Sequence, residues 1–180
     1  YREAENYYKT GLDLNPIWDQ GYSSLVELYQ ITGKIEQARR FTKNQNPDDH
    51  PWMYITMSKT ELLERNYDEA IRIIEASPSE FLVYEDEFIT RSQQLGLIYL
   101  MMSNKELATT HFQEARLILE NRLKELPDDP RLYSSLGIVY AGLGLKEEAV
   151  KTGNKALSII NISVDAIEGF YRELDMARIL

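Results

Sequence analysis

The chain has 180 residues, 43% of them apolar and 27% charged, the composition of a folded globular protein and not of a disordered one. Its 29 acidic against 20 basic side chains leave a net charge of −9. Such a surface repels phosphate backbones and anionic lipid heads, so neither nucleic acid nor membrane is the expected partner. Cysteine is absent, which removes disulfides, thiolate metal sites and cysteine nucleophiles together.

Helical spacing governs the chain from end to end, and no strand is expected. Residues 1–15 carry Ala4, Tyr8 and Gly11 ahead of Asn15-Pro16 and read as the second helix of an incomplete hairpin. Residues 17–46 hold Leu25, Tyr29, Gly33 and Ala38, a helix, a glycine turn and an antiparallel helix. Residues 51–77 form the next hairpin. Its start signal is Asp48-Asp49-His50-Pro51, an acid that caps and a proline suited to a first helical turn.

Between Ser77-Pro78-Ser79 and the acidic run Glu85-Asp86-Glu87 the expectation is an extended loop or an early start to the following helix. The hairpin at 84–126 then has an unusually long second helix, Lys105 to Leu126. Asp128-Asp129-Pro130 opens the hairpin at 130–161. There Tyr133, Leu136, Gly137, Tyr140 and Leu143 recur three and four apart, and Gly142 with Gly144 breaks the first helix. A terminal helix is expected over 163–180, capped by Ser163, with Ile167, Phe170, Tyr171, Leu174 and Ala177 on one face.

Two sets of anchors expose a period. Ala4, Ala38, Ala70, Ala108 and Ala149 are separated by 34, 32, 38 and 41 residues. Leu25, Met57, Leu95, Leu136 and Phe170 are separated by 32, 38, 41 and 34. The shared steps mark a real repeat. Small residues recur because a side chain larger than methyl would hold two crossing helices apart.

These residues resemble the tetratricopeptide repeat, a helical hairpin of about 34 residues. The fullest match is Tyr133, Leu136, Gly137, Tyr140, Gly144, Ala149 and Ala156; a second is Leu95, Gly96, Tyr99, Ala108, Phe112 and Ala115. The hairpin from Trp52 departs most, with Ser58 and Glu61 where a small residue and tyrosine are usual. The resemblance implies an all-α solenoid, a right-handed superhelix of stacked repeats whose first helices line a concave groove.

By the same resemblance the groove presents Gln20, Ser23, Glu27 and Gln30, then Trp52, Ile55, Lys59 and Leu62. Further on it presents Thr90, Gln93, Leu97 and Leu100, then Arg131, Ser134, Ile138 and Ala141. Trp52 is either the candidate anchor for a partner peptide or helix or a residue packed against the preceding hairpin. Family members that hold the carboxylate tails of chaperones use a clamp of Lys, Asn and Arg. At the matching places this chain has Ser23, Glu27, Thr90 and Gln94, so that ligand is not expected.

No catalytic constellation emerges. His50 belongs to the capping turn, His111 has no metal-ligand spacing, and no phosphate loop or nucleophile motif occurs. The expectation is a non-enzymatic scaffold without cofactor or metal that binds protein or peptide and can self-associate through its exposed ends. The alternative is a regulatory or sensory segment of a larger bacterial signalling protein, because 167–174 resembles the helical-repeat tails of that class. The longest apolar run, Leu97–Met102, is far short of the roughly 20 residues that cross a bilayer. With Tyr1 opening the chain and no signal-like stretch behind it, the sequence reads as a cytoplasmic piece of something longer.

Overall fold

The computed structural model describes residues 1–43, 45–48, 51–84 and 87–180. Among them the chain forms ten helices and one two-stranded hairpin, and it divides into two compact units, Tyr1–Pro78 and Ser79–Leu180. The fold class is the all-α array of helical hairpins expected from the sequence. Asp49 and His50 of the expected helix start, and Glu85 and Asp86 of the acidic run, lie outside the described residues.

The first unit contains α1 (Arg2–Leu14), α2 (Asp19–Ile31), α3 (Ile35–Thr42), α4 (Trp52–Leu63) and α5 (Tyr67–Glu75). Helix α1 packs on α2, α2 on α3 and α4, and α4 on α5. Leu12, Leu25, Val26, Leu28, Tyr29 and Ala38 form a core, with Tyr8, Trp18, Tyr22 and Phe41 at its margin. Trp18 fits against α1 because Gly11 makes room; a Cβ there would stand 2.5 Å from the indole.

The second unit contains β1 (Phe81–Tyr84), β2 (Glu87–Thr90), α6 (Arg91–Met101), α7 (Lys105–Glu125), α8 (Pro130–Gly142), α9 (Lys146–Ile159) and α10 (Glu168–Ile179). Its core joins Phe88 to Ala108, Phe112, Ala115, Leu119, Leu132, Leu136 and Val139. The Phe112 ring lies between Gly96 of α6 and Gly142 of α8, each of which would put a Cβ into it. Ala38, Ala70, Ala108 and Ala149 are all buried, as helix crossings require.

The strands correct the sequence reading, which predicts a loop or early helix between Ser77 and Thr90. Phe81 pairs with Thr90, Leu82 with Ile89, Val83 with Phe88 and Tyr84 with Glu87, antiparallel. The physical reason is two short aromatic and β-branched runs, FLVY and EFIT, which suit a pleated, half-buried surface. Leu82 and Phe88 are buried, and the Ser135 hydroxyl donates to the Phe88 carbonyl, fastening β2 to α8. Strand β2 runs directly into α6, whose N-cap is Thr90: its Oγ1 accepts from the Gln93 amide at 3.0 Å.

The four helical hairpins turn in the same way, and glycine explains only two of the turns. Gly33 and Gly144 have φ of 70° and 75°, while Arg65 and Ser103 adopt 59° and 61°. In each, the following amide donates back to a carbonyl five residues earlier: Lys34 to Tyr29, Asn66 to Glu61, Asn104 to Tyr99 and Leu145 to Tyr140, at 2.8–3.0 Å. A second bond closes each turn, from Gly33, Arg65, Ser103 and Gly144 to Gln30, Leu62, Leu100 and Ala141. These are Schellman caps, which need one left-handed residue just past the helix. Gly142, expected to break α8, is instead its last residue and serves the Phe112 contact.

The terminal helix also starts later than the sequence suggests, at Glu168. Ser163 is not its cap. Asn161 Oδ1 accepts from the Ser163 amide at 3.0 Å, which holds a turn, and Asp165 Oδ1 accepts from the amides of Ile167 and Glu168 at 2.8 Å each. A carboxylate able to reach two unpaired amides is the stronger start.

Candidate interaction surface

In the first unit the predicted partner-facing positions lie on α2 and α4. Gln20 and Glu27 are exposed; Ser23 is buried and its hydroxyl donates to the Gln20 carbonyl at 3.1 Å. Gln30 is occupied by the fold. Its Nε2 donates to the Thr56 carbonyl at 2.9 Å and to Thr60 Oγ1 at 2.8 Å, tying α2 to α4. Trp52 is 8% exposed and Ile55 4%, so the expected aromatic anchor is enclosed. Lys59 reaches solvent and Leu62 is half-buried.

Polar clasps fix these helices in register. Tyr29 on α2 and Glu61 on α4 stand at matching places in their hairpins, and each meets the residue after an anchor alanine. The Tyr29 hydroxyl donates to Glu5 Oε1 at 3.4 Å. Glu5 also receives Lys34 at 2.6 Å and Lys9 at 2.7 Å, and these two ammonium groups hold its carboxyl down at about 2. At the second clasp the polarity is exchanged: Arg39 donates to both oxygens of Glu61, at 2.7 and 2.9 Å, and to Glu64 at 2.5 Å. Arg39 thereby holds the Glu61 carboxyl below its ordinary range despite burial, and the carboxylates push the guanidinium up.

Beside that clasp lies a cleft of about 200 Å³, lined by Arg39, Thr42, Lys43, Met57, Thr60, Glu61, Glu69 and Ile73. Sequence reasoning did not find it. Its signal was Glu61 in place of the usual tyrosine, together with an arginine directly after Ala38.

In the second unit Thr90 is the buried cap of α6, Gln93 and Gln94 are buried, Leu97 is half-buried and Leu100 exposed. Arg131 is tied to Asp129, the N-cap of α8, by Nε at 3.0 Å and Nη2 at 2.7 Å. Burial opposes the Asp129 charge, yet Arg131 and its amide keep the carboxyl below the usual range. Ser134 and Ile138 are buried, Ile138 in a small cluster with Ala149 and Ile179 of α10. Ala141 is half-buried. His111 stacks on Tyr99 with ring centroids 5.3 Å apart. Among the described residues no three His, Asp or Glu side chains are grouped to hold a metal, and no helix is long and apolar enough to cross a membrane.

Residues 130–161, the span of α8 and α9, match the family described as the tetratricopeptide repeat. That hairpin is a tetratricopeptide repeat. In that repeat Leu136, Gly137, Ala149 and Ala156 are buried, and Tyr140 donates to Glu120 Oε1 at 2.9 Å. Two solved structures, each reported as the crystal structure of MamA, are similar to the chain at 23% identity. One covers 86% of this chain and 85% of that one with a TM-score of 0.46. The other covers 86% and 80% with a TM-score of 0.45. No curated protein matches the sequence significantly.

Proposed function

We propose that the whole chain is a tetratricopeptide-repeat scaffold whose first helices hold a peptide or helix of a partner protein. The supporting observation is that the first unit leaves charged groups of opposite sign at equivalent places on successive first helices. Glu27 of α2 and Lys59 of α4 are both exposed, and both stand nine places into the repeat's partner-facing pattern. Gln30 and Arg39 nearby are instead held in clasps within the fold. Exposed charges of opposite sign are available to select a partner of matching pattern. The anchor assigned to Trp52 passes to the accessible residues Gln20, Glu27, Lys59 and Leu62.

The test is to install a photo-crosslinking residue at Lys59 and, as control, at Arg72 on α5, and to identify what each captures from the native cell. A single partner captured through position 59, whose affinity falls about tenfold in Lys59→Glu and Glu27→Lys, supports the scaffold reading. Equal capture at both positions, or affinity untouched by both reversals, refutes it.

A further inference from the structure

The cleft beside Arg39 lies where α3 and α5 each pack on α4, and none of Gln20, Glu27, Lys59 and Leu62 lines it. Its volume of about 200 Å³ is below the roughly 300–1,000 Å³ of sites for drug-sized molecules. It exceeds the roughly 150 Å³ that holds a benzene ring in an apolar cavity. That is room for one large side chain. Met57 and Ile73 supply apolar wall. The Thr42 and Thr60 hydroxyls donate to the carbonyls of Ala38 and Thr56, at 3.2 and 3.0 Å, so neither hydroxyl proton awaits a ligand.

The polar groups at the mouth decide which charge a ligand can bring. Glu61 receives Arg39 on both oxygens and Asn66 Nδ2 at 2.9 Å. Glu69 receives Nε and Nη2 of Arg72. Every guanidinium nitrogen of Arg39 donates to a carboxylate, and its other two acids, Glu36 and Glu64, are exposed to water. Lys43 is the contrast. It closes α3 as an exposed C-cap, and among the described residues its ammonium has no hydrogen-bond or ion-pair partner. The carboxylates are held within the fold, and the three N–H donors of one cation are left over.

We propose that this cleft is a second binding site, which takes one large aliphatic side chain of a partner protein and sets the adjacent Asp or Glu of that partner on Lys43. Burial of the aliphatic group against Met57 and Ile73 supplies most of the affinity. Lys43 supplies the selectivity: an exposed ion pair adds little, but a like charge in the same place is disfavoured. A basic residue there would meet Lys43, with Glu61 and Glu69 already engaged by guanidinium groups. The site is independent of the first-helix surface proposed above, so either can fail without the other.

The experiment uses the whole 180-residue chain with isotope-labelled methionine methyl groups, so that Met57 reports from the cleft by NMR. The probe is the capped dipeptide N-acetyl-Leu-Glu-amide, titrated into the millimolar range, where a ligand of this size is expected to bind. The Met57 signal moves saturably while those of Met101, Met102 and Met176, in the second unit, stay in place. Affinity falls about threefold for N-acetyl-Leu-Gln-amide and about tenfold for N-acetyl-Ala-Glu-amide. Lys43→Gln abolishes the preference for Glu over Gln, and Lys43→Glu turns it toward N-acetyl-Leu-Lys-amide. Lys43 is exposed, and unchanged far-UV ellipticity confirms that both variants fold. Lys59→Glu, on the first-helix surface, leaves every preference as it was. A Met57 signal that never moves, equal binding of the Glu, Gln and Lys probes, a parent chain that favours the Lys probe, or a Glu preference that survives Lys43→Gln would each overturn the proposal.

Discussion

Gly96→Ala separates the packing account from simple helix propensity. Gly96 lies in the middle of α6, where replacing glycine by alanine ordinarily stabilises a helix by about 1 kcal/mol. Here the added Cβ would stand 2.8 and 2.9 Å from Cδ1 and Cε1 of Phe112. The ring has no exposure, and on its other side a Cβ at Gly142 would come within 2.5 Å of Cε2, so it cannot step aside. Overpacking of that kind costs about 1–3 kcal/mol, which outweighs the propensity gain and leaves a net loss of about 1 kcal/mol. The assay is urea unfolding followed by far-UV ellipticity, since both tryptophans, Trp18 and Trp52, belong to the first unit and their fluorescence does not report on Phe112. In a Phe112→Leu background the clash is relieved and Gly96→Ala turns neutral or stabilising, a coupling of about 1–2 kcal/mol across the cycle. If Gly96→Ala stabilises the parent chain by about 1 kcal/mol and shows no coupling, the reasoning that places small residues at crossings is refuted.

Four further outcomes are expected. Arg65→Gly and Ser103→Gly, at the left-handed turn residues, each raise stability by up to about 1 kcal/mol because glycine carries no Cβ penalty there; a loss in both would show that the two side chains contribute contacts of their own. Glu5 has a folded pKa of about 2, below its ordinary value of 4.5, so its contribution is complete above pH 4.5 and disappears as the pH falls toward 2; in acid titrations of unfolding, Glu5→Gln should flatten that descent, and an unaltered slope would remove Glu5 as its source. Arg172→Met leaves buried Asp175, whose carboxyl burial already pushes up, with only the exposed Arg178 beside it, and should cost about 3 kcal/mol, much of it recovered in Arg172→Met/Asp175→Asn; equal losses in the single and double variants would argue against a buried pair. Trp52→Ala, at an enclosed site, should lower stability by about 3–5 kcal/mol in the same unfolding assay, whereas Lys59→Ala stays within about 0.5 kcal/mol; a stable Trp52→Ala chain would return Trp52 to the surface.

What the letters alone determined was the repeat. Anchor alanines and leucines at shared spacings specify where helices cross, because close approach admits only small residues, and that constraint is local enough to be read from one sequence. Asp129 before Pro130 likewise announced the start of α8, since capping involves neighbours in the chain. Contacts between distant residues were not legible in this way. The β-hairpin depends on Phe88 entering the core and on Ser135, 47 positions later, binding its carbonyl. Arg65 and Ser103 could take a glycine's conformation because tertiary packing outweighs a local penalty of about 1 kcal/mol. Trp52 looked like a surface anchor by its position in the repeat, yet in the folded unit it is only 8% exposed. The orientation of α10 was likewise settled by its neighbours: Arg172, Asp175 and Ile179 are buried while Ile167, Phe170 and Leu174 of the apolar face read from the sequence are exposed. Periodicity records what a helix would bury alone, and only the assembled neighbours decide which charges can be buried with it.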